Sequence, residues 1–141
     1  MTRIDHAPNK VIKLLKQGKI HQCLISHSNA LNRFHHIIIS RVSGDKVVFV
    51  HYLFEKNGDL FDSSVEETYL IEFELDKSNM RNKGIHLEPT TPETAKIFIQ
   101  NAISYAKLKG RQIPYIFNII NSVFYDVDTS KTSNIQFTFE G

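Results

Sequence analysis

The chain has 141 residues, a formal net charge of +2, and 41% hydrophobic and 23% charged side chains. That is the profile of one soluble folded domain that buries about two-thirds of its unfolded surface. Lysine and arginine are spread out without runs, which argues against a nucleic-acid or anionic-membrane surface, and no stretch approaches the roughly 18–20 apolar residues of a membrane span. The lone cysteine, Cys23, excludes an internal disulfide. With no apolar leader segment at the N-terminus, it sets the expectation of a cytoplasmic or otherwise reducing setting.

In chain order, Val11, Ile12, Leu14 and Leu15 recur at helical spacing and predict a helix over Pro8–Lys19, closed near Gly18. Lys10, Lys13, Lys16 and Lys19 form its solvated face. His21–Ser26 predicts a short strand and Ser28–Asn32 a polar connection. Phe34–Val42 and Asp45–Phe54 predict two strands that are apolar on both faces, the pattern of strands covered on both sides. Asn57-Gly58 predicts a hairpin returning into Asp59–Ser63. Tyr69–Leu75 alternates, with Tyr69, Ile71, Phe73 and Leu75 against Leu70, Glu72 and Glu74, and predicts a half-buried strand.

Ser78–Thr90 is polar and irregular. A helix over 91–109 follows, capped either by Thr90 with Glu93 or by Thr91 with Pro92 in the first turn. Its buried stripe is Ala95, Phe98, Ile99, Ala102, Ile103 and Ala106, and Gly110 ends it. Ile113–Val123 reads as a helix or an extended segment, and Asn134–Phe139 as an edge strand. No repeat or linker divides residues 1–141, so one domain is expected.

The chemistry-bearing feature is His36 with His51. With Ser43-Gly44 as a two-residue loop, Val42 opposes Asp45 and His36 directly opposes His51, which places their Cβ atoms roughly 4.5–5.5 Å apart. Two imidazoles on one face, beside Ile38 and Phe49, make a base-and-orienter pair that still needs a nucleophile. Cys23 precedes the His36 strand, but it lies in an apolar run without a neighbouring cation, so its thiol is expected to be inert. A zinc site needs a third ligand, which His21, His27 or His86 supplies only through a tertiary contact; no metal and no cofactor is expected. Glu66 and Glu67 are adjacent and point to opposite faces of a strand, a poor acid–base dyad.

Phe34-His35-His36-Ile37-Ile38-Ile39 and Gly44-Asp45-Lys46-Val47-Val48-Phe49-Val50-His51 resemble the two histidine strands of the lecithin retinol acyltransferase-like family, a permuted papain-type fold. The helix at 91–109 followed by Ile113-Pro114-Tyr115-Ile116-Phe117-Asn118 resembles the approach to that family's C-terminal Asn-Cys motif. The resemblance implies catalytic roles for His36 and His51. Where the family carries Asn-Cys, this chain has Asn134-Ile135-Gln136-Phe137, and isoleucine forms no thiolate, so only a displaced nucleophile such as Cys23 would restore the chemistry.

A second, local resemblance lies in Gly44–Val47, Val50-His51-Tyr52 and Asn57-Gly58-Asp59-Leu60-Phe61-Asp62-Ser63-Ser64, with Ile71–Leu75 beyond. These are similar to immunophilin-type peptidyl-prolyl isomerases. By position the resemblance makes Tyr52, Phe61 and Asp62 binding residues of a proline pocket, with Ile71 near an aromatic position. The hairpin is one residue shorter than the usual spacing, and the chain contains no tryptophan for the pocket floor. The polar 76–90 segment would leave such a pocket wet.

These observations predict an α+β fold: one antiparallel sheet of four to six strands, packed by the 91–109 helix and flanked by an N-terminal helix. The expected function is a non-catalytic interaction or accessory protein with a protein partner, on a permuted papain-like or similar scaffold. No nucleic-acid or membrane partner is indicated, and any aromatic left exposed would mark the partner surface. The alternative is an enzyme, either prolyl isomerase-like or a cysteine hydrolase or acyltransferase.

Overall fold

Gly44 adopts φ 63° at the first position of a two-residue loop, Gly44-Asp45, and the two strands it joins, β3 (His35–Ser43) and β4 (Lys46–Phe54), form the centre of the sheet. The architecture comes from a computed structural model, which describes residues 2–3, 16, 18–29, 33–113, 121–130, 137 and 139. The remaining strands are β1 (Thr2–Arg3), β2 (Lys19–Ser26), β5 (Leu60–Tyr69) and β6 (Glu88–Thr90). With β3 and β4 they form, among the described residues, a single six-stranded sheet in the order β1-β5-β4-β3-β2-β6, with every pairing antiparallel. The predicted α+β class and single antiparallel sheet are therefore observed.

Ile37, Ile38 and Ile39 in β3 and Val47, Val48, Phe49 and Val50 in β4 are all buried, so both faces of the middle of the hairpin are covered. One helix covers each face. α1 (Leu70–Asn82) packs Phe73 against Leu24, Ile38, Val47 and Phe49. α2 (Pro92–Leu108) packs Ala95, Phe98, Ile99 and Ala102 against Cys23, Ile25, Ile37, Ile39, Val50 and Tyr52 on the opposite face. Thr91 caps α2, its hydroxyl accepting from the Thr94 N–H at 3.1 Å, and Pro92 opens the first turn. Among the described residues, no helix is long and apolar enough to cross a membrane.

Several sequence expectations need correction. Tyr69–Leu75 is not a strand: β5 ends at Tyr69 and α1 begins at the next residue. Leu70, Phe73 and Met80 supply an inward stripe at helical spacing, and it overrides the period-two alternation. The polar 78–90 stretch is the last part of α1, then a turn with Gly84 at φ 87°, then β6 pairing with β2 through Cys23, Leu24 and Ile25. Lys19 begins β2 rather than ending a helix. The expected N-terminal helix falls mostly outside the described residues. So do most of Asn134–Phe139 and the first part of Ile113–Val123, which ends in a 3-10 turn, Asn121–Phe124.

Arg41 of β3, 1% exposed, is among the largest fully buried side chains of the described residues. Its Nε and Nη2 donate to the Val123 carbonyl at 3.0 and 2.7 Å, its Nη1 donates to the Gly18 carbonyl at 3.0 Å, and the guanidinium pairs with Asp126. The ring of Tyr125 covers it at 4.8 Å. One planar fork thus ties the 121–127 segment and the start of β2 to the central strand. Substituting Arg41→Lys keeps the charge but loses the fork, and is expected to cost on the order of 3 kcal/mol in urea unfolding. Asp126→Asn, at a half-exposed site, is expected to cost less than about 1 kcal/mol. Equal costs would refute this division of labour.

Candidate functional site

His36 and His51 lie on the α1 face of β3 and β4. The observed register opposes Ser43 with Lys46, His36 with Leu53, and His51 with Ile38. The expected direct opposition of the two histidines is therefore incorrect: the loop is Gly44-Asp45 rather than Ser43-Gly44, because the turn gives glycine the positive-φ position. The rings still meet, along the diagonal, with His36 Nδ1 3.0 Å from His51 Nε2. Their ring centroids are 5.2 Å apart. Cross-strand diagonals are within reach of long side chains, and a register change of two residues leaves both on one face.

At 3.0 Å one nitrogen donates and the other accepts, so the pair holds one proton between two neutral imidazoles. Burial lowers the pKa of His36, and burial together with the nearby His36 brings His51 down to about 4. Both rings are therefore neutral at pH 7. The ladder places Ser26 across from His36 and Ser64 across from His51 on the same face. Sequence reasoning missed both serines, since only the pairing of β2 with β3 and of β4 with β5 brings them in.

Cys23 sits on the other side of the sheet. It opposes Ile39, packs in the core under α2, and is 4% exposed. Burial, reinforced by Glu93, pushes its thiol up to about 12, so the thiolate is absent at neutral pH. The sheet itself separates it from the histidine pair.

Tyr52, Phe61 and Asp62 do not converge. Tyr52 is wholly buried on the α2 face and its hydroxyl donates to Asn121 Oδ1 at 3.3 Å. Phe61 is the extra residue where the β4–β5 register slips between Leu53 and Phe54. A bulge of this kind re-aims a side chain, and Phe61 is 57% exposed with its ring 4.7 Å from Phe34. Asp62 opposes Leu53, is exposed, and accepts from the Ser63 N–H at 2.9 Å.

Of the other histidines, His21 lies edge-on to Phe73 at 6.2 Å, His27 is 5.7 Å from His35 beside Phe98, and His86 is exposed. Among the described residues, no group of three or more histidine, cysteine or acidic side chains is placed to hold a metal ion. Comparison with protein-family models, curated proteins and solved structures found no match for the chain.

A histidine kept neutral by burial leaves the folded chain without a proton that the unfolded chain already binds. Its contribution to stability is full above pH 6.5, the ordinary value, and is lost as the pH falls toward about 4. The unfolding free energy is expected to fall over that window by up to ~1.4 kcal/mol per pH unit for each histidine involved. His51→Phe should flatten this slope. Superimposable pH–stability slopes for the two proteins would rule the account out.

Proposed function

We propose that this chain is a non-catalytic interaction protein whose partner is another protein, and that α1 carries the contact surface. The observation behind this reading is the inverted character of α1. Ile71 and Leu75, one turn apart, are 79% and 60% exposed, whereas Lys77 is 3% exposed. Tyr69, just before the helix, is half-exposed.

The buried Lys77 is held by Gln22 Oε1 at 2.6 Å and Glu74 at 2.8 Å, and its ammonium lies 5.1 Å from the Phe73 ring centroid. Aliphatic side chains left in water contribute nothing to folding, while a buried ammonium costs desolvation. A helix selected for stability alone would exchange the two. Contiguous exposed aliphatic groups with a polar surround fit a contact surface.

The enzyme alternatives have less support. A base near pKa 4 is far from the value that suits proton transfer at neutral pH. The only cysteine is protonated and on the wrong face. Tyr52 is sealed in the core, so the residues of the isomerase resemblance form no shared pocket. The histidine pair is consistent with the permuted papain-like resemblance, and Ile135 stands where that family has its nucleophile.

A photo-cross-linking residue placed at Ile71, at Leu75 and at Leu108 tests this reading. Leu108 is 81% exposed but lies on α2, and so controls for exposure alone. Discrete protein adducts are expected from positions 71 and 75 and not from 108. No adducts, or the same adducts from all three, would count against α1 as a contact surface. Separately, iodoacetamide should label Cys23 only at the rate of unfolding; rapid saturable labelling at neutral pH would restore the cysteine-enzyme reading.

A further inference from the structure

The β4–β5 hairpin and the C-terminal half of α2 enclose a cleft of about 380 Å³, within the range of roughly 300–1,000 Å³ typical of small-molecule sites. Phe54 and Leu60 from the hairpin and Ala102 and Ile103 from α2 give it an apolar lining, with the exposed ring of Phe61 alongside. Arg111 also lines it. The reversal after α2 brings it there: Gly110 takes φ 73°, and the Arg111 N–H donates back to the Ala106 carbonyl at 2.8 Å.

Among the described residues, the Arg111 guanidinium is tethered at one end only. Its Nη1 is 3.0 Å from an Asp59 carboxylate oxygen and donates to the Asn57 carbonyl at 3.3 Å, and its centre lies 5.8 Å from the Tyr105 ring centroid. Among the described residues, Nε and Nη2 have no protein acceptor. These two N–H groups form the side-on edge of the fork, whose spacing matches the two oxygens of a carboxylate. Two carboxylates, Asp59 and Glu55, also line the cleft, and both are already engaged: Asp59 with Arg111 and with Asn57 Nδ2 at 3.2 Å, and Glu55 with Arg33.

We propose that this cleft binds a small monocarboxylate with an apolar body, the carboxylate on the Nε–Nη2 edge of Arg111 and the body between Phe61 and Ile103. The same chemistry is carried by a free acid and by the C-terminal residue of a peptide ending in an apolar side chain. The site is on the opposite face of the sheet from α1, and does not depend on the protein-contact role of that helix.

Calorimetric titration of the whole chain with 3-phenylpropionate, 3-phenylpropanol and N-acetyl-glycyl-phenylalanine tests the proposal. Saturable binding of the acid or the peptide, tighter than the alcohol by on the order of tenfold, is expected, and which of the two binds identifies the source. That preference should vanish in Arg111→Gln. In Gln112→Glu, a change at an exposed lining residue, the acid should weaken about tenfold and the alcohol should not. Ile103→Trp, checked for folding by circular dichroism, should block all three by filling the lining. Equal binding of acid and alcohol, a preference that survives Arg111→Gln, or no saturable binding of acid or peptide would each overturn the proposal.

Discussion

Ile37 and Ile39 leave β3 on one side and Ile38 on the other, and all three are buried. A sheet built on such a strand needs a layer on each face. The chain meets the requirement by a single route. β5 runs without a loop into α1, which covers one face; the chain then adds β6 to the β2 edge and crosses to the other face as α2. β6 is only three residues long, yet it protects the β2 edge and sets the point at which α2 begins.

The direct β5-to-α1 junction also explains why α1 is an unusual helix. The Leu70 N–H donates to the Asp45 carbonyl at 2.9 Å, fixing the first turn to the β3–β4 loop. With its start fixed, its phase is fixed as well, and that phase turns Phe73, Lys77 and Met80 toward the sheet and Ile71 and Leu75 away. Polar atoms are also buried beneath α1: among the described residues, Asp76 Oδ2 and, on β2, His21 Nε2 lack hydrogen-bond partners. α2 shows the opposite balance: Ala95, Phe98, Ile99, Ala102 and Ala106 are all buried. The two helices cover equivalent faces, but only α2 is built as a core helix, and only α1 leaves an aliphatic pair in water.

The same contrast explains what could be read from the sequence. α2 was legible, with its cap narrowed to Thr90 or Thr91, because its apolar stripe, capping signals and Gly110 end all agree. The β3–β4 hairpin was legible for the same reason, and its error in loop position did little harm: moving a two-residue loop by one position shifts the register by two, which preserves faces. That is why His36 and His51 still touch. α1 was illegible because Ile71, Phe73 and Leu75 alternate as a strand would, and only the tertiary junction with β5 selects the helix. Ser26, Ser64 and the open edge of Arg111 were invisible for another reason, since each acquires its place through pairings distant in sequence.

Position relative to the sheet also separates the groups with reactive chemistry from those with open valences. Cys23 and the two histidines lie on opposite faces, and burial holds each in its neutral form at pH 7. A charge formed on the histidine pair or on the thiol would be poorly hydrated, so these groups favour their neutral forms. Arg41 is buried too, but its guanidinium is already committed to Val123, Gly18 and Asp126. Arg111 differs in being partly exposed, charged and, among the described residues, paired through Nη1 alone. The recognition proposed at the protein's periphery therefore requires no rearrangement of the core.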